Sequence, residues 1–106
     1  MWIFTRYGFF SFSVRDNKVW IRSRKKPHLQ SLKDRFLLDG TIVESHDTDY
    51  RYRLMVDKEV AAGMMYTLSF EQDWSNFKNE ASRYNKDRSY IMALHDVWDR
   101  MYGIQE

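Results

Sequence analysis

The chain has no cysteine, which excludes disulfides, zinc–thiolate sites and cysteine nucleophiles together. That absence fits a reducing compartment, and a cytoplasmic protein is expected. Proline and glycine are scarce, at one and four residues, so a long structureless linker or a collagen-like tract is ruled out. No apolar run approaches the length of a membrane span. Met1-Trp2-Ile3-Phe4 is apolar, but Arg6 ends it, and no membrane partner is expected. Also missing are a Ser-His-Asp spacing, a phosphate-cradling glycine loop and a dinucleotide fingerprint, which points away from the familiar enzyme classes. No cofactor and no metal site is expected.

What remains suits one domain over residues 1–106. Aromatic residues make up 17% of the chain, and such large side chains supply the buried area that a short chain lacks. Net charge is only +2, but it is unevenly spread. Residues 1–26 carry seven basic residues against Asp16 alone, a net +6, and residues 27–106 carry a net −4. A basic end of this kind favours an anionic partner, or a homo-oligomer that pairs its own opposite patches.

The periodicity gives an α+β chain. Trp2 to Val14 alternates as a strand with Gly8 as a bulge or bend, and Asp16-Asn17-Lys18 is turn chemistry. Val19 to Ser23 resumes the alternation, which predicts a hairpin. Pro27 suits a first helical turn, Leu29, Leu32 and Phe36 follow at helical spacing, and Asp39-Gly40 stops the run. A short strand over 41–45, a polar loop and a strand from Tyr50 to Val56 come next. In that last strand Tyr50, Tyr52, Leu54 and Val56 form one face. Asp57 is a candidate N-cap for a helix carrying Val60, Ala61, Met64 and Leu68. Asn76 or Ser75 caps a short helix, and Asp87 caps a last one in which Ile91, Leu94, Trp98 and Met101 recur before Gly103. The expected architecture is a ferredoxin-like antiparallel sheet (β-β-α-β-β-α) with helices on one face and two extra C-terminal helices.

If Phe10, Phe12, Val14, Val19, Ile21, Tyr52, Leu54 and Val56 face the helices, the opposite face presents Phe9, Ser11, Ser13, Trp20, Arg22, Arg24, Arg51, Arg53 and Met55. Aromatics interleaved with arginines suit a phosphate-bearing ligand: bases stack on rings while guanidinium groups take phosphate. The same patch also suits a homodimer interface centred on Trp20 and Phe9. No RNP-like signature is present, which weakens an RNA reading.

The histidines are less telling. Glu44-Ser45-His46-Asp47-Thr48-Asp49 gathers three carboxylates and an imidazole, yet matches no metal loop and reads as a polar turn. His28 is expected to face solvent. His95 lies beside the apolar stripe of the last helix, where a packed residue is the commoner outcome.

Trp2-Ile3-Phe4-Thr5-Arg6-Tyr7-Gly8-Phe9-Phe10-Ser11, Asp49-Tyr50-Arg51-Tyr52-Arg53, Asp73-Trp74-Ser75-Asn76-Phe77-Lys78 and His95-Asp96-Val97-Trp98 follow one another along nearly the whole chain. In that order they resemble a family of small uncharacterised bacterial and phage proteins. The resemblance implies a stand-alone domain and supplies no chemistry. It adds Thr5, Asn76, Lys78 and His95 to Arg53 as candidate site residues. Asn76 as an N-cap, Lys78 on a solvated face and Arg53 in an ion pair are the structural alternatives.

Three functional expectations follow: a non-enzymatic module for a nucleotide or nucleic acid, a protein-interaction or inhibitor protein of phage type, or a small hydrolase or phosphodiesterase using His46 or His95.

Overall fold

The computed structural model describes all residues, 1–106. Five strands form one antiparallel sheet in the order β1-β2-β3-β5-β4: β1 Trp2–Thr5, β2 Gly8–Arg15, β3 Lys18–Ser23, β4 Val43–Glu44 and β5 Tyr52–Asp57. Four helices complete the α+β fold: α1 Lys26–Arg35, α2 Lys58–Phe70, α3 Phe77–Tyr84 and α4 Arg88–Tyr102. No helix is long and apolar enough to cross a membrane.

The ferredoxin-like order is not confirmed. The first predicted strand is in fact two, β1 and β2, which fold back on each other at Arg6-Tyr7. Gly8 is the reason. Its φ of 146° lies where side chains are strained, and a Cβ there would meet His28 Cβ at 2.6 Å. Thr5 locks the turn. Its Oγ1 accepts from the Tyr7 and Gly8 amides at 3.1 and 3.2 Å and donates to the Gly8 carbonyl at 2.9 Å. This saturates the hydroxyl. Thr5, a candidate site residue by resemblance, is thus a buried turn residue.

The β2–β3 hairpin is as expected. Asp16 and Asn17 sit at φ 52° and 59° between the paired Arg15 and Lys18, as a two-residue primed turn demands. Alternation then sets the faces. Phe10, Phe12, Val19, Ile21, Leu54 and Val56 join Leu29 and Leu32 of α1 and Ala61 and Met64 of α2 in the main core. Asp57 precedes α2 but makes no side-chain cap; its carboxylate pairs with Lys18 instead.

Helices do not keep to one face. Ala81 of α3 with Tyr90 and Leu94 of α4 forms a second core, and Phe9 packs against it from the side of the sheet opposite α1 and α2. The α3–α4 hairpin is anchored at the β1–β2 turn. Tyr90 donates its hydroxyl to the Thr5 carbonyl, and Asn85 donates to the carbonyls of Arg6 and Tyr7. Asn76 and Asp87 cap these helices as their sequence positions predict.

His28 corrects another expectation: it is buried rather than solvent-facing. It sits against Gly8, edge-on to Tyr90 at 5.2 Å, with Nε2 3.0 Å from Asp87 Oδ2 but not aligned for a hydrogen bond. Burial lowers its pKa, and this outweighs the opposing pull of Asp87. Burial would raise the Asp87 carboxyl. Hydrogen bonds from Lys25, Ser89 and the Tyr90 amide together overcome that and hold it well below the usual carboxylate range.

Candidate functional site

Strand register places an arginine–aromatic patch on the face turned away from α1 and α2. Ser11, Arg22 and Arg53 lie in one row across β2, β3 and β5, and Ser13, Trp20 and Met55 lie in the next. Core residues alternate with all of these along each strand, which fixes their side. Trp20, Arg22 and Arg53 are half-buried, and Arg24, just past β3, is exposed.

The patch is organised around a residue that the sequence placed on the wrong face. Tyr50 precedes β5, so strand parity does not govern it. Its ring is buried but belongs to neither core. The Arg22 guanidinium lies 4.7 Å and that of Arg24 4.1 Å from its centroid. Arg22 donates to Ser11 Oγ at 2.7 Å, Arg24 to the Asp49 carbonyl, and Arg53 Nε to the Tyr50 carbonyl at 3.4 Å. The bonds from Arg24 and Arg53 hold the polar loop over 45–50 onto the sheet, with Thr48 Oγ1 donating to the Tyr50 carbonyl at 2.9 Å.

None of Arg22, Arg24, Arg51 and Arg53 forms an ion pair, in contrast to Arg6, Arg35 and Arg83, which all do. The ion pair considered for Arg53 is therefore not made. Arg22 Nε is buried without any hydrogen-bond partner. Arg51 is exposed immediately before β5. Four uncompensated guanidinium groups within and beside one patch leave it strongly positive.

Phe9 does not offer an open ring. Phe4 stacks on it at 4.7 Å, Trp2 meets it edge-on at 5.9 Å, and the second core covers it. The rings with open surface on this face are Trp20 and, on the edge strand, Phe4 and Trp2; Trp2 is 69% exposed and paired in register with Ser11.

The other candidates lie elsewhere. Asn76 accepts from the Asn79 amide at 3.0 Å as the α3 N-cap. Lys78 Nζ rests 4.6 Å over the Trp98 ring, so it is not simply solvated. Both line a groove with Phe4, Leu94 and Trp98. His95 is exposed and borders a different depression beside Lys86 and Arg88. His46, with Nε2 3.4 Å from Glu44 Oε2, lies in the β4–β5 loop and borders neither of these.

Sequence reasoning missed Tyr50, and it placed Ser11 on this face without giving it a role. Only the Asp49-Tyr50-Arg51-Tyr52-Arg53 stretch hinted at Tyr50, by setting an aromatic among arginines. No family model, curated protein or solved structure matches this chain.

Proposed function

We propose that the protein is a non-enzymatic binding module for a phosphate-bearing ligand, a nucleotide or nucleic acid, held on the β2–β3–β5 face. The supporting observation is the set of four arginines without carboxylate partners, one of them with a buried and unused Nε–H. Proteins seldom leave such donors unanswered, and a phosphate oxygen is a strong acceptor for them. Tyr50 holds Arg22 and Arg24 in place beneath the ligand, so less side-chain entropy is lost on binding. Trp20, two residues before Arg22 on the same strand, supplies a ring for a base.

The test is a fluorescence-anisotropy titration of a labelled single-stranded oligothymidylate across a salt series. If three arginines each neutralise one phosphate, log K falls against log salt with a slope of about −2. Arg22→Met with Arg53→Met flattens that slope by about 1.4 and weakens low-salt binding by about tenfold or more. Absence of binding to oligonucleotides and to mononucleotides at low salt refutes the reading.

A second reading, a protein-interaction module or homo-oligomer, is favoured by α4. Val97, Trp98, Met101 and Tyr102 are all exposed there, and Trp98 stacks on Tyr102 at 5.4 Å. Apolar patches of this kind mark interaction surfaces. Sedimentation equilibrium decides it: a concentration-dependent dimer that Trp98→Glu abolishes supports it, and a monomer that captures no protein partner opposes it.

A further inference from the structure

An apolar pocket lies at the outer edge of β1, next to the Lys78–Trp98 groove and sharing Phe4 and Phe77 with it. Ile3 and Phe4 of β1, Leu68 of α2, and Trp74 and Phe77 beyond it line an open-mouthed cavity of about 200 Å³, with Arg6 and Glu71 in its wall. An apolar cavity of about 150 Å³ accommodates benzene, so this one has room for a phenyl ring and about 50 Å³ more, the size of a carboxylate.

Arg6 and Glu71 are the charged groups of the pocket lining, and the ion-pair cluster they belong to carries a net charge of +1. Arg6, Arg35 and Arg83 face only Glu71 and Glu80. Arg6 donates from one terminal nitrogen to Glu80 Oε1 at 3.0 Å and from the other to the Tyr7 hydroxyl at 3.4 Å, the latter nitrogen lying 3.7 Å from Glu71 Oε1. Its Nε is buried without a partner. The guanidinium is ringed by Tyr7, Trp74 and Tyr84 at 5.5, 5.4 and 5.2 Å from their centroids, which holds it against the cavity wall. Glu71 does not depend on Arg6, because it accepts from the Tyr7 hydroxyl at 3.0 Å and from Arg35 at 2.8 Å. A small movement of the Arg6 guanidinium off the Tyr7 hydroxyl therefore adds a terminal N–H to the unpartnered Nε–H as donors for an incoming anion, and leaves Glu71 satisfied.

We infer that this cavity is a binding site for a small aromatic carboxylate, its ring against Trp74 and Leu68 and its carboxylate on Arg6. It does not depend on the arginine face of the sheet. Two-dimensional amide NMR of the wild-type chain with phenylacetate tests it, with phenethylamine as the oppositely charged control. A ligand of about ten heavy atoms in an open, mostly apolar cavity is expected to bind with a Kd on the order of 1 mM. The shifts should localise to Thr5, Arg6, Leu68 and the Trp74 indole, and phenethylamine should bind about tenfold more weakly or not at all. Arg6→Gln should remove the preference for the anion. Should that variant fail to fold, Ser69→Trp, at an exposed position of the cavity wall, should block phenylacetate while the chain stays folded. Equal binding of both probes, shifts confined to other regions, or unchanged phenylacetate affinity in whichever variant folds overturns the inference.

Discussion

Replacing Gly8 by alanine should cost more stability than any other single methyl added at a glycine of this chain. The backbone there has φ 146°, and the new Cβ would stand 2.6 Å from His28 Cβ and 2.7 Å from both Cγ and Nδ1 of the same ring. Those are not flexible tips. His28 is buried between Gly8, Tyr90 and Asp87, so it has no free direction in which to yield. Backbone strain contributes about 1–3 kcal/mol, and crowding of a filled site contributes about 1–3 kcal/mol more. The total of about 2–6 kcal/mol is a large share of the roughly 5–15 kcal/mol that holds a small domain folded. With a urea slope of about 1–3 kcal/mol per molar, the unfolding midpoint should fall by about 1–3 M. Gly63 is the control: it is inside α2 with nothing within 4 Å of a built Cβ. Alanine there should gain about 0.5–1 kcal/mol through the unfolded chain and helix propensity. A Gly8→Ala midpoint equal to wild type, or below it by no more than the scatter of the Gly63→Ala measurement, would refute the account of the β1–β2 turn.

Thr5→Val keeps the shape of the side chain but strands two buried amides, those of Tyr7 and Gly8, and should cost about 1–3 kcal/mol in the same urea assay; an unchanged midpoint contradicts the role given to the hydroxyl. Stability should also depend on acid in two stages. His28 has a lowered folded pKa, so its contribution is complete above the ordinary value of 6.5 and is lost as pH falls below it, when the unfolded chain takes up the proton that the folded one resists. Asp87 is likewise lowered, and its contribution is lost only as pH drops below about 3.8. Urea unfolding at pH 8, 6 and 5 should show declining stability in wild type and a smaller decline in His28→Phe; parallel profiles for the two chains dispose of the His28 assignment.

Part of the molecule is legible in its local chemistry alone. The β2–β3 hairpin follows from a period-two pattern broken by Asp16-Asn17, and the caps of α3 and α4 follow from Asn76 and Asp87. The face carrying Trp20, Arg22 and Arg53 follows from the same alternation. What failed was non-local. Gly8 reads as a bulge or a turn with equal ease, because the deciding neighbour, His28, lies on a different element. Phe9 has the parity of an exposed ring, and Phe4 and Trp2 of β1 together with the α3–α4 hairpin cover it. Tyr50 sits just outside β5, where a period-two argument no longer holds, and long-range cation–π contacts choose its side. Strand order depends on which edges meet, and no residue pattern in one strand encodes that.

The direct measurement of the binding claim is the arginine side-chain Nε–H spectrum of the 15N-labelled chain, recorded with and without a short single-stranded oligonucleotide at low salt. The account predicts that the Arg22 signal shifts as phosphate takes up its free Nε–H and that of Arg53 shifts with it as its long bond to the Tyr50 carbonyl is exchanged for phosphate, while that of Arg83, already satisfied by Glu80, stays in place. Saturation of the chain with nucleic acid while the Arg22 and Arg53 signals remain unmoved would place the ligand elsewhere and contradict it.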